Sequence, residues 1–386
     1  MTRYLIIGNG VAGTTAAEFI RKEDQAGPIT LITEEDLPFY YRIRLPEFVA
    51  GTITEERLLA KKPEWYAEQK ITLLTGRLVV AIDPKAKAVT TDRERPLPYD
   101  RLLLATGSHS FVPPIKGASL AGVFTLRGIG DARAISTYAA RVERVVVIGG
   151  GLLGLEIGQA LRTLGKQVTV VEFLPRLLPR QLDAEGASRL KQIMETRLGF
   201  SFRLAARTME IAGKERVTGV VLESGETLPG EMVILSAGVR ANLDLAIAMG
   251  LDHDKGIKVN ERMETSLAGI FAAGDVAEFG GHPPNGIWPT AMQQGKIAGI
   301  NIAGGAAVYT GTTMANMLKV VGIDLAAAGD IDADNRYEAH ITATDSTYRK
   351  IVTDNKKIIG CILLGDTSDY GKLTTAITEK KELESL

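Results

Sequence analysis

Two glycine-rich segments of the chain have the residue types and spacing that bind the pyrophosphate of a dinucleotide. The first reads Gly8-Asn-Gly10-Val-Ala-Gly13. In such a loop Gly8 permits a tight turn, Gly10 lets the backbone approach a pyrophosphate, and Gly13 lets a helix pack closely on a strand. The helix that begins with Val11 and Ala12 adds free N–H groups and the positive end of its dipole. These residues are therefore predicted to hold an anionic cofactor.

An acidic residue should follow the next strand and accept hydrogen bonds from a ribose. Glu34 lies 26 residues after Gly8 and fits this position, with Glu35 as the alternate. A single glycine motif is weak evidence, but here strand, loop, helix and acid agree. The pattern predicts a dinucleotide site rather than a structural turn.

The second glycine segment reads Gly149-Gly-Gly151-Leu-Leu-Gly154 and again joins a strand to a helix. Its acidic partner is Glu172, 23 residues after Gly149, which suits the ribose 2′-OH of NAD and repels the 2′-phosphate of NADP. Arg176 and Arg180 follow closely and act in the opposite direction, and on balance we predict NAD. The predicted binding residues are Gly149, Gly151, Leu152, Leu153, Gly154 and Glu172.

Two dinucleotide sites in one chain suit hydride transfer between a tightly held flavin and a visiting nicotinamide. The sequence contains a single cysteine, Cys361. One thiol cannot form an internal disulfide, a dithiol centre or a cysteine-rich metal or iron–sulfur site. No histidine shares a metal-type spacing with another histidine or with the cysteine. We therefore expect a bound cofactor to carry the electrons, and we expect no metal site.

The elements around both loops are predicted from short apolar runs and helical periodicity. They are strand Tyr4–Ile7, helix Val11–Lys22 and strand Pro28–Thr33, then strand Arg144–Ile148, helix Leu152–Leu164 and strand Gln167–Val171. This alternation predicts parallel sheets, and its recurrence about 140 residues later indicates a duplicated unit. The fold class is predicted as α/β, with two Rossmann-like dinucleotide-binding domains and a small C-terminal α+β domain.

Charge and hydropathy exclude several classes of function. The 386 residues include 45 basic and 46 acidic side chains, which is too balanced for a nucleic-acid-binding protein. The apolar run near the N-terminus, Tyr4–Ile7, is too short for a signal peptide. No stretch approaches the roughly 20 apolar residues of a membrane span. We predict a cytoplasmic protein with no nucleic-acid partner and no membrane span.

Further motifs resemble the FAD- and NAD(P)H-dependent pyridine nucleotide–disulfide oxidoreductase superfamily over nearly the full chain. The matching segments are Leu104–Ser108, Ala237–Arg240, Ala273–Ala277 and Ile287–Gly295. The resemblance implies that Asp275 bonds the ribityl chain of FAD and that the last segment begins a helix facing the flavin pyrimidine. The cofactor-binding residues it implies are Ala105, Thr106, Gly107, Gly238, Gly274, Asp275 and Thr290.

Within the superfamily the chain most resembles NADH:rubredoxin oxidoreductases and the flavin-binding part of assimilatory nitrite reductases. Tyr40–Pro46 is similar to a stretch that lies over the flavin, and Leu318–Gly322 and Leu364–Thr367 resemble their C-terminal domain. The resemblance places Glu156 near the nicotinamide. It implies further cofactor-binding residues Arg42, Lys62, Arg127 and Lys319, with Glu156 and Arg42 as the catalytic side chains.

The chain departs from the disulfide reductases, peroxidases and oxidases of the superfamily because it lacks their cysteine beside the flavin. Cys361 lies instead in an apolar strand and is predicted to be a buried hydrophobic residue. The expected acceptor or donor is therefore external. The resemblance implies an iron–sulfur carrier of the rubredoxin or ferredoxin type, or partner subunits of a larger anaerobic complex such as an aldehyde or phenylglyoxylate oxidoreductase.

Two alternatives remain open at this point: an NADH oxidase that reduces O₂ to hydrogen peroxide, and a non-enzymatic binding module. The direction of electron flow also stays open. We predict an FAD-binding domain over residues 1–113 and 240–308 and an NAD-binding domain over 114–239. A C-terminal interface domain is predicted over 309–386.

Overall fold

The computed structural model describes residues 1–93, 95–312 and 315–383, with backbone alone for 315–320. The described strands of the first 140 residues are β1 (Tyr4–Ile7), β2 (Ile29–Ile32), β3 (Ile71–Leu74), β4 (Val79–Asp83), β5 (Ala88–Thr91), β6 (Leu97–Pro98), β7 (Arg101–Leu104), β8 (Ser108–Ser110) and β9 (Val123–Phe124). The helices there are α1 (Val11–Glu23), α2 (Leu45–Val49), α3 (Glu55–Leu58), α4 (Pro63–Glu68) and α5 (Ile129–Ala139), and a 3₁₀ turn spans Arg42–Arg44.

The middle of the chain repeats the alternation. Its strands are β10 (Arg144–Ile148), β11 (Gln167–Val171), β12 (Ser201–Arg203), β13 (Thr208–Gly213), β14 (Val217–Leu222), β15 (Thr227–Pro229), β16 (Met232–Leu235), β17 (Val239–Ala241), β18 (Ile257–Val259), β19 (Ile270–Ala272) and β20 (Ala277–Phe279). Its helices are α6 (Leu152–Thr163), α7 (Ala184–Leu198), α8 (Asp244–Met249) and α9 (Trp288–Ile302).

The last part of the chain is mainly antiparallel. Its elements are β21 (Ala315–Val320), β22 (Ile323–Gly329), β23 (Glu338–Ala343), β24 (Tyr348–Asp354), β25 (Lys357–Leu364) and α10 (Tyr370–Thr378). The strands form one sheet in the order β21-β22-β25-β24-β23, and α10 packs against β25 and β22. Cys361 and Leu373 lie in the core between them. Among the described helices, none is long and apolar enough to cross a membrane.

A first parallel sheet has the order β19-β7-β1-β2-β3. Its central strand β1 is buried along its length, as expected for a parallel strand covered on both faces. Since parallel strands end at the same edge, the segments after β1, β2, β7 and β19 meet there. These segments contain Gly8, Glu34, Ala105–Gly107 and Gly274–Asp275.

A second parallel sheet has the order β12-β11-β10-β16-β9. The segments after its strands β10, β11 and β16 contain Gly149, Glu172 and Ser236–Gly238 in turn. The two glycine loops, 141 residues apart from Gly8 to Gly149, thus occupy equivalent edges of two similar sheets. Ligands of open α/β sheets bind outside the carboxyl ends of the strands.

Candidate functional site

The first glycine loop has the geometry of a pyrophosphate cradle. Gly8 has φ +110°, and a Cβ there would lie 2.0 Å from the Ala105 carbonyl oxygen. A Cβ on Gly13 would lie 1.9 Å from the Gly8 carbonyl oxygen. A Cβ on Gly10, in contrast, would meet no atom within 4 Å. Gly8 and Gly13 are required by packing, whereas the space beside Gly10 is open to a ligand at the start of α1.

Of the two acidic residues after β2, Glu34 is exposed and Glu35 is held by the protein. Both Glu35 carboxylate oxygens accept hydrogen bonds from the Arg42 guanidinium. Oε1 also accepts one from the Tyr40 hydroxyl at 2.6 Å and one from the Ile129 N–H at 3.3 Å. Glu34 therefore stays the predicted ribose acceptor.

Arg42 is the centre of a cluster that the sequence did not indicate. Besides Glu35, its Nη1 donates to the Tyr40 hydroxyl at 2.9 Å and to the Arg127 carbonyl at 3.2 Å. Burial raises the pKa of the Tyr40 hydroxyl, although the Arg42 charge opposes that rise. The cluster joins the segment after β2 to the start of α5. It therefore connects the first sheet to the second.

Arg127 and Asp275 form an ion pair at the edge of the first sheet. Nη2 of Arg127 lies 2.7 Å from Oδ2 of Asp275, and the Ser108 hydroxyl donates to the same oxygen at 2.9 Å. Nε of Arg127 donates to the Ser108 carbonyl at 2.8 Å. Gly274, at φ +84°, brings Asp275 close to α1, since a Cβ on it would lie 2.9 Å from Cβ of Ala12. Asp275 thus lies beside the first cradle.

The segment Ala105–Gly107 is fixed by Asn242, a residue the sequence reasoning missed. Nδ2 of Asn242 donates to the Thr106 carbonyl at 2.7 Å, and the Thr106 hydroxyl donates to the Asn242 carbonyl at 3.2 Å. The N–H of Asn242 donates to the Gly107 carbonyl at 3.0 Å. These bonds hold the first sheet's edge against the strand that leaves the second sheet.

Helix α9 begins beside the same cradle. Thr290 is 6% exposed, and its hydroxyl accepts a hydrogen bond from Nδ2 of Asn285 at 2.9 Å. Thr290, Gly274 and Asp275 line one cavity of about 350 Å³. Gln294, also missed by the sequence reasoning, accepts the N–H of Gly274 at 2.8 Å. The start of this helix therefore lies beside a cavity that predicted flavin residues line.

The second glycine loop opens on a larger cleft of about 850 Å³. Gly149 has φ +121°, and a Cβ there would lie 2.2 Å from the Ser236 carbonyl oxygen. A Cβ on Gly154 would lie 2.1 Å from the Gly149 carbonyl oxygen, whereas one on Gly151 would meet nothing within 4 Å. The predicted residues that line the cleft are Gly149, Gly151, Leu152, Leu153, Glu172 and Gly238.

Glu172 is 9% exposed and lines this cleft. Its carboxylate accepts the Gly150 N–H at 2.6 Å and the Leu174 N–H at 2.8 Å. Each carboxylate oxygen can accept a second hydrogen bond, so the side chain can still bind a hydroxyl at the position predicted for the ribose. Arg180 lines the same cleft.

The remaining predicted residues lie in different surroundings. Glu156, on α6, is partly buried, and burial together with the negative charge of Glu47 raises its pKa to about 7. The Lys62 side chain is 65% exposed and its Nζ lies 3.6 Å from Glu56. Lys319 lies in β21, whose side chains are outside the described part of the chain. The binding and catalytic roles of all these residues stay predictions.

Comparison with known proteins identifies the class that this geometry defines. Residues 2–295 match the family model described as pyridine nucleotide-disulphide oxidoreductase. The chain therefore belongs to this family, whose cofactors are FAD and NAD(H). Residues 315–381 match the rubredoxin NAD⁺ reductase C-terminal domain. The predicted superfamily and fold class are confirmed.

Particular relatives refine the position within the family. The chain is 32% identical to the NADH-rubredoxin oxidoreductase of Clostridium acetobutylicum over 385 residues, covering 100% of this chain and 97% of that protein. The crystal structure of that enzyme superposes with a TM-score of 0.84, over 99% of this chain and 96% of the other.

Other relatives carry different names. An NADH oxidase of Methanocaldococcus jannaschii is 34% identical over 417 residues, covering 100% of this chain and 93% of that protein. A nitrite reductase of Bacillus subtilis is 34% identical over 388 residues, with 99% of this chain but 48% of the relative covered. The chain thus spans about half the length of several curated relatives that it matches.

Proposed function

We propose that this chain exchanges a hydride between NAD(H) and a bound FAD and transfers electrons to or from an external iron–sulfur carrier of the rubredoxin or ferredoxin type. The main support is the presence of two glycine loops of dinucleotide-cradle geometry, together with a single cysteine that belongs to neither. Cys361 is 0% exposed in the core of the C-terminal sheet, and burial raises its pKa to about 11. Since only the thiolate is a good nucleophile, this thiol is unsuited to disulfide chemistry.

On the first sheet, the cradle of Gly8, Gly10 and Gly13 would hold the FAD pyrophosphate. Glu34 would accept bonds from its ribose and Asp275 from its ribityl chain. FAD, when bound, takes a hydride from NADH and can release electrons singly. The start of α9 would stabilise negative charge on the flavin by a fraction of a kcal/mol to about 2 kcal/mol.

On the second sheet, the cleft beside Gly151 would hold NADH, with Glu172 accepting a ribose hydroxyl. Arg42 fixes the start of α5 through Glu35 and the Arg127 carbonyl, and so orients the two cradles. Glu156 would hold a proton at its carboxyl below about pH 7 and carry a charge above it.

The identity of the acceptor is the finer part of the proposal. The relative named for rubredoxin covers this chain from end to end, and the C-terminal match is to a rubredoxin reductase domain. The longer relatives favour a second form of the same proposal, in which this unit serves partner domains or subunits of a larger oxidoreductase. In that form of the proposal, the partner would set the direction of electron flow. The cytoplasm stays the predicted location.

Anaerobic stopped-flow mixing with NADH tests the first half of the proposal. Flavin absorbance should bleach in one turnover, and a flavin that stays oxidised would overturn it. A second mix of the reduced enzyme with oxidised rubredoxin, ferredoxin or thioredoxin tests the acceptor. We expect fast oxidation by an iron–sulfur carrier and none by thioredoxin.

The M. jannaschii relative named NADH oxidase favours a second candidate, direct reduction of O₂ to hydrogen peroxide. An oxygen electrode with a peroxide assay distinguishes the two activities. If the rate with air-saturated buffer exceeds the rate with every carrier tested, the oxidase is the better description.

A further inference from the structure

A buried ionic contact joins the C-terminal sheet to the polypeptide beside the second cleft. Lys350, in β24, is 1% exposed, and its Nζ lies 3.0 Å from Oδ2 of Asp183. The Tyr348 hydroxyl donates to the same oxygen at 2.8 Å. Lys350 also donates to the Asp332 carbonyl at 3.0 Å. Asp183 is 6% exposed and caps α7 by accepting the Gly186 N–H at 2.9 Å.

Asp183 directly follows the segment 173–182, which connects Glu172 to α7 and contributes residues to the lining of the cleft. Within this segment the Leu178 N–H donates to the Gly150 carbonyl at 3.2 Å. Leu178 is fully buried and has φ +46°, so its backbone is held in one uncommon conformation. Gly150 in turn donates its N–H to Glu172 at 2.6 Å. Contacts therefore run without a break from Lys350 to the glycine loop and its acidic partner.

The packing around this path is equally continuous. One core contains Leu177, Leu178 and Leu182 of the segment together with Tyr348 and Ile362 of the C-terminal sheet. On the next turn of α7, Nη1 of Arg189 donates to the Thr344 carbonyl at 2.8 Å. The start of α7 is thus attached to the C-terminal sheet at two points.

A buried lysine–aspartate pair mainly fixes the relative position of its two side chains. Its Coulombic attraction is largely cancelled by desolvation, and apolar side chains of similar volume often stabilise a fold equally well. What the pair adds is a fixed geometry at Asp183. We propose that Tyr348 and Lys350 are positioning residues for the nicotinamide nucleotide: through Asp183 they hold segment 173–182 and Gly150 in the conformation that binds it.

This inference rests on the proposed role of the second cleft in binding NADH. It makes the C-terminal domain a part of the nucleotide site as well as an interface. The variants that test it in the full-length holoenzyme are Lys350→Met, Asp183→Asn, Tyr348→Phe and the double variant of the first two. Arg349→Met is the matched control, because Arg349 neighbours Lys350 on the strand and pairs with Asp369 within the C-terminal domain.

The readouts are the dissociation constant of NAD⁺ by calorimetry and the limiting rate of flavin reduction at saturating NADH. We expect each of the three single variants to raise the dissociation constant of NAD⁺ by about two- to thirtyfold. This is the fold-change that corresponds to the coupling free energies usually found when residues between two sites are mutated. The limiting rate should stay within about twofold of wild type, since the loss weakens binding in the ground state and in the transition state equally. The double variant should weaken binding no more than Lys350→Met alone, because both remove one contact.

Unchanged NAD⁺ affinity in folded single variants would overturn the inference, as would a loss of affinity in Arg349→Met. If Lys350→Met does not fold, Tyr348→Phe decides, since it removes one hydrogen bond and no charge. Wild-type protein that binds no NAD⁺ and is not reduced by NADH would contradict the proposed function itself, which keeps the two failures distinct.

Discussion

At the scale of single residues, Glu156 places a carboxyl group in partly buried surroundings near the like charge of Glu47. Burial is the larger cause, and together they raise its pKa to about 7. The group is thus neutral at weakly acidic pH and charged at weakly basic pH. This matters if it lies near the nicotinamide, because hydride loss leaves positive charge on that ring.

We expect the rate of flavin reduction by NADH to rise with pH through about 7, because the Glu156 carboxylate favours the positive nicotinamide that forms. Glu156→Gln should make this rate independent of pH, at the value that the wild-type protein has at its acidic limit. At pH 8.5 the variant should therefore be slower than wild type by about three- to tenfold. Stopped-flow rates at saturating NADH across this pH range measure it. Glu47→Gln is the control and should move the inflection to lower pH; a profile that Glu156→Gln leaves intact would contradict the role.

The same pKa predicts a stability effect that does not depend on catalysis. A carboxyl whose pKa is raised on folding destabilises the native state progressively as pH rises from about 4.5 to 7. Glu156→Gln should therefore increase the free energy of unfolding above pH 7, by up to about 3 kcal/mol, and change little below pH 4.5. Denaturant titrations of wild type and variant at pH 4.5 and pH 8 provide the comparison. Equal differences at both pH values would show that Glu156 titrates normally.

At the scale of elements, each glycine loop contains two kinds of glycine. Gly13 is enclosed, because a Cβ would lie 1.9 Å from the Gly8 carbonyl oxygen, whereas Gly10 faces open space. Gly13→Ala should destabilise the protein by several kcal/mol, since backbone must move. Gly10→Ala should leave the apoprotein's melting temperature unchanged but weaken FAD binding by at least about tenfold, because the methyl group occupies the path of the pyrophosphate.

Thermal unfolding of the apoprotein and fluorescence titration with FAD measure the two effects separately. Gly151→Ala and Gly154→Ala repeat the experiment on the second loop, where NAD⁺ replaces FAD as the ligand. A Gly10→Ala protein that binds FAD normally would place the pyrophosphate elsewhere.

These elements were predictable from the sequence because their signals are local. Tyr4–Ile7 and Arg144–Ile148 are mainly apolar runs, each followed directly by a glycine, and the structure has strands with the same bounds. Contacts between distant segments left no such signal. Glu35 meets the Ile129 N–H 94 residues away, and Tyr348 meets Asp183 across 165 residues. These residues lie in turns and at strand ends, where the sequence has no periodic pattern. Their contacts are therefore visible only in the folded structure.

At the scale of the whole molecule, polar side chains connect the two parallel sheets and the C-terminal sheet to one another. Glu35, Arg42 and Tyr40 attach the first sheet to α5 beside the second, and Asp183 and Lys350 attach the second to the C-terminal sheet. Each cradle thus has a polar contact to the next part of the chain. The relative placement of the two glycine loops therefore depends on side chains outside both of them.

The single cysteine gives a prediction for the complete reaction. Cys361 lies in the core between β25 and α10, and burial raises its pKa to about 11. Cys361→Ala should leave both the reduction of flavin by NADH and its oxidation by a carrier unchanged, at a stability cost of about 1 kcal/mol for the lost sulfur atom.

Anaerobic turnover with NADH and rubredoxin measures both steps, with the wild-type protein treated with iodoacetamide as a second control. Slow alkylation without loss of turnover is expected, because the thiolate is scarce at neutral pH. If Cys361→Ala kept flavin reduction but lost transfer to the carrier, the thiol would be a redox relay, and the acceptor would no longer have to receive its electrons directly from the flavin.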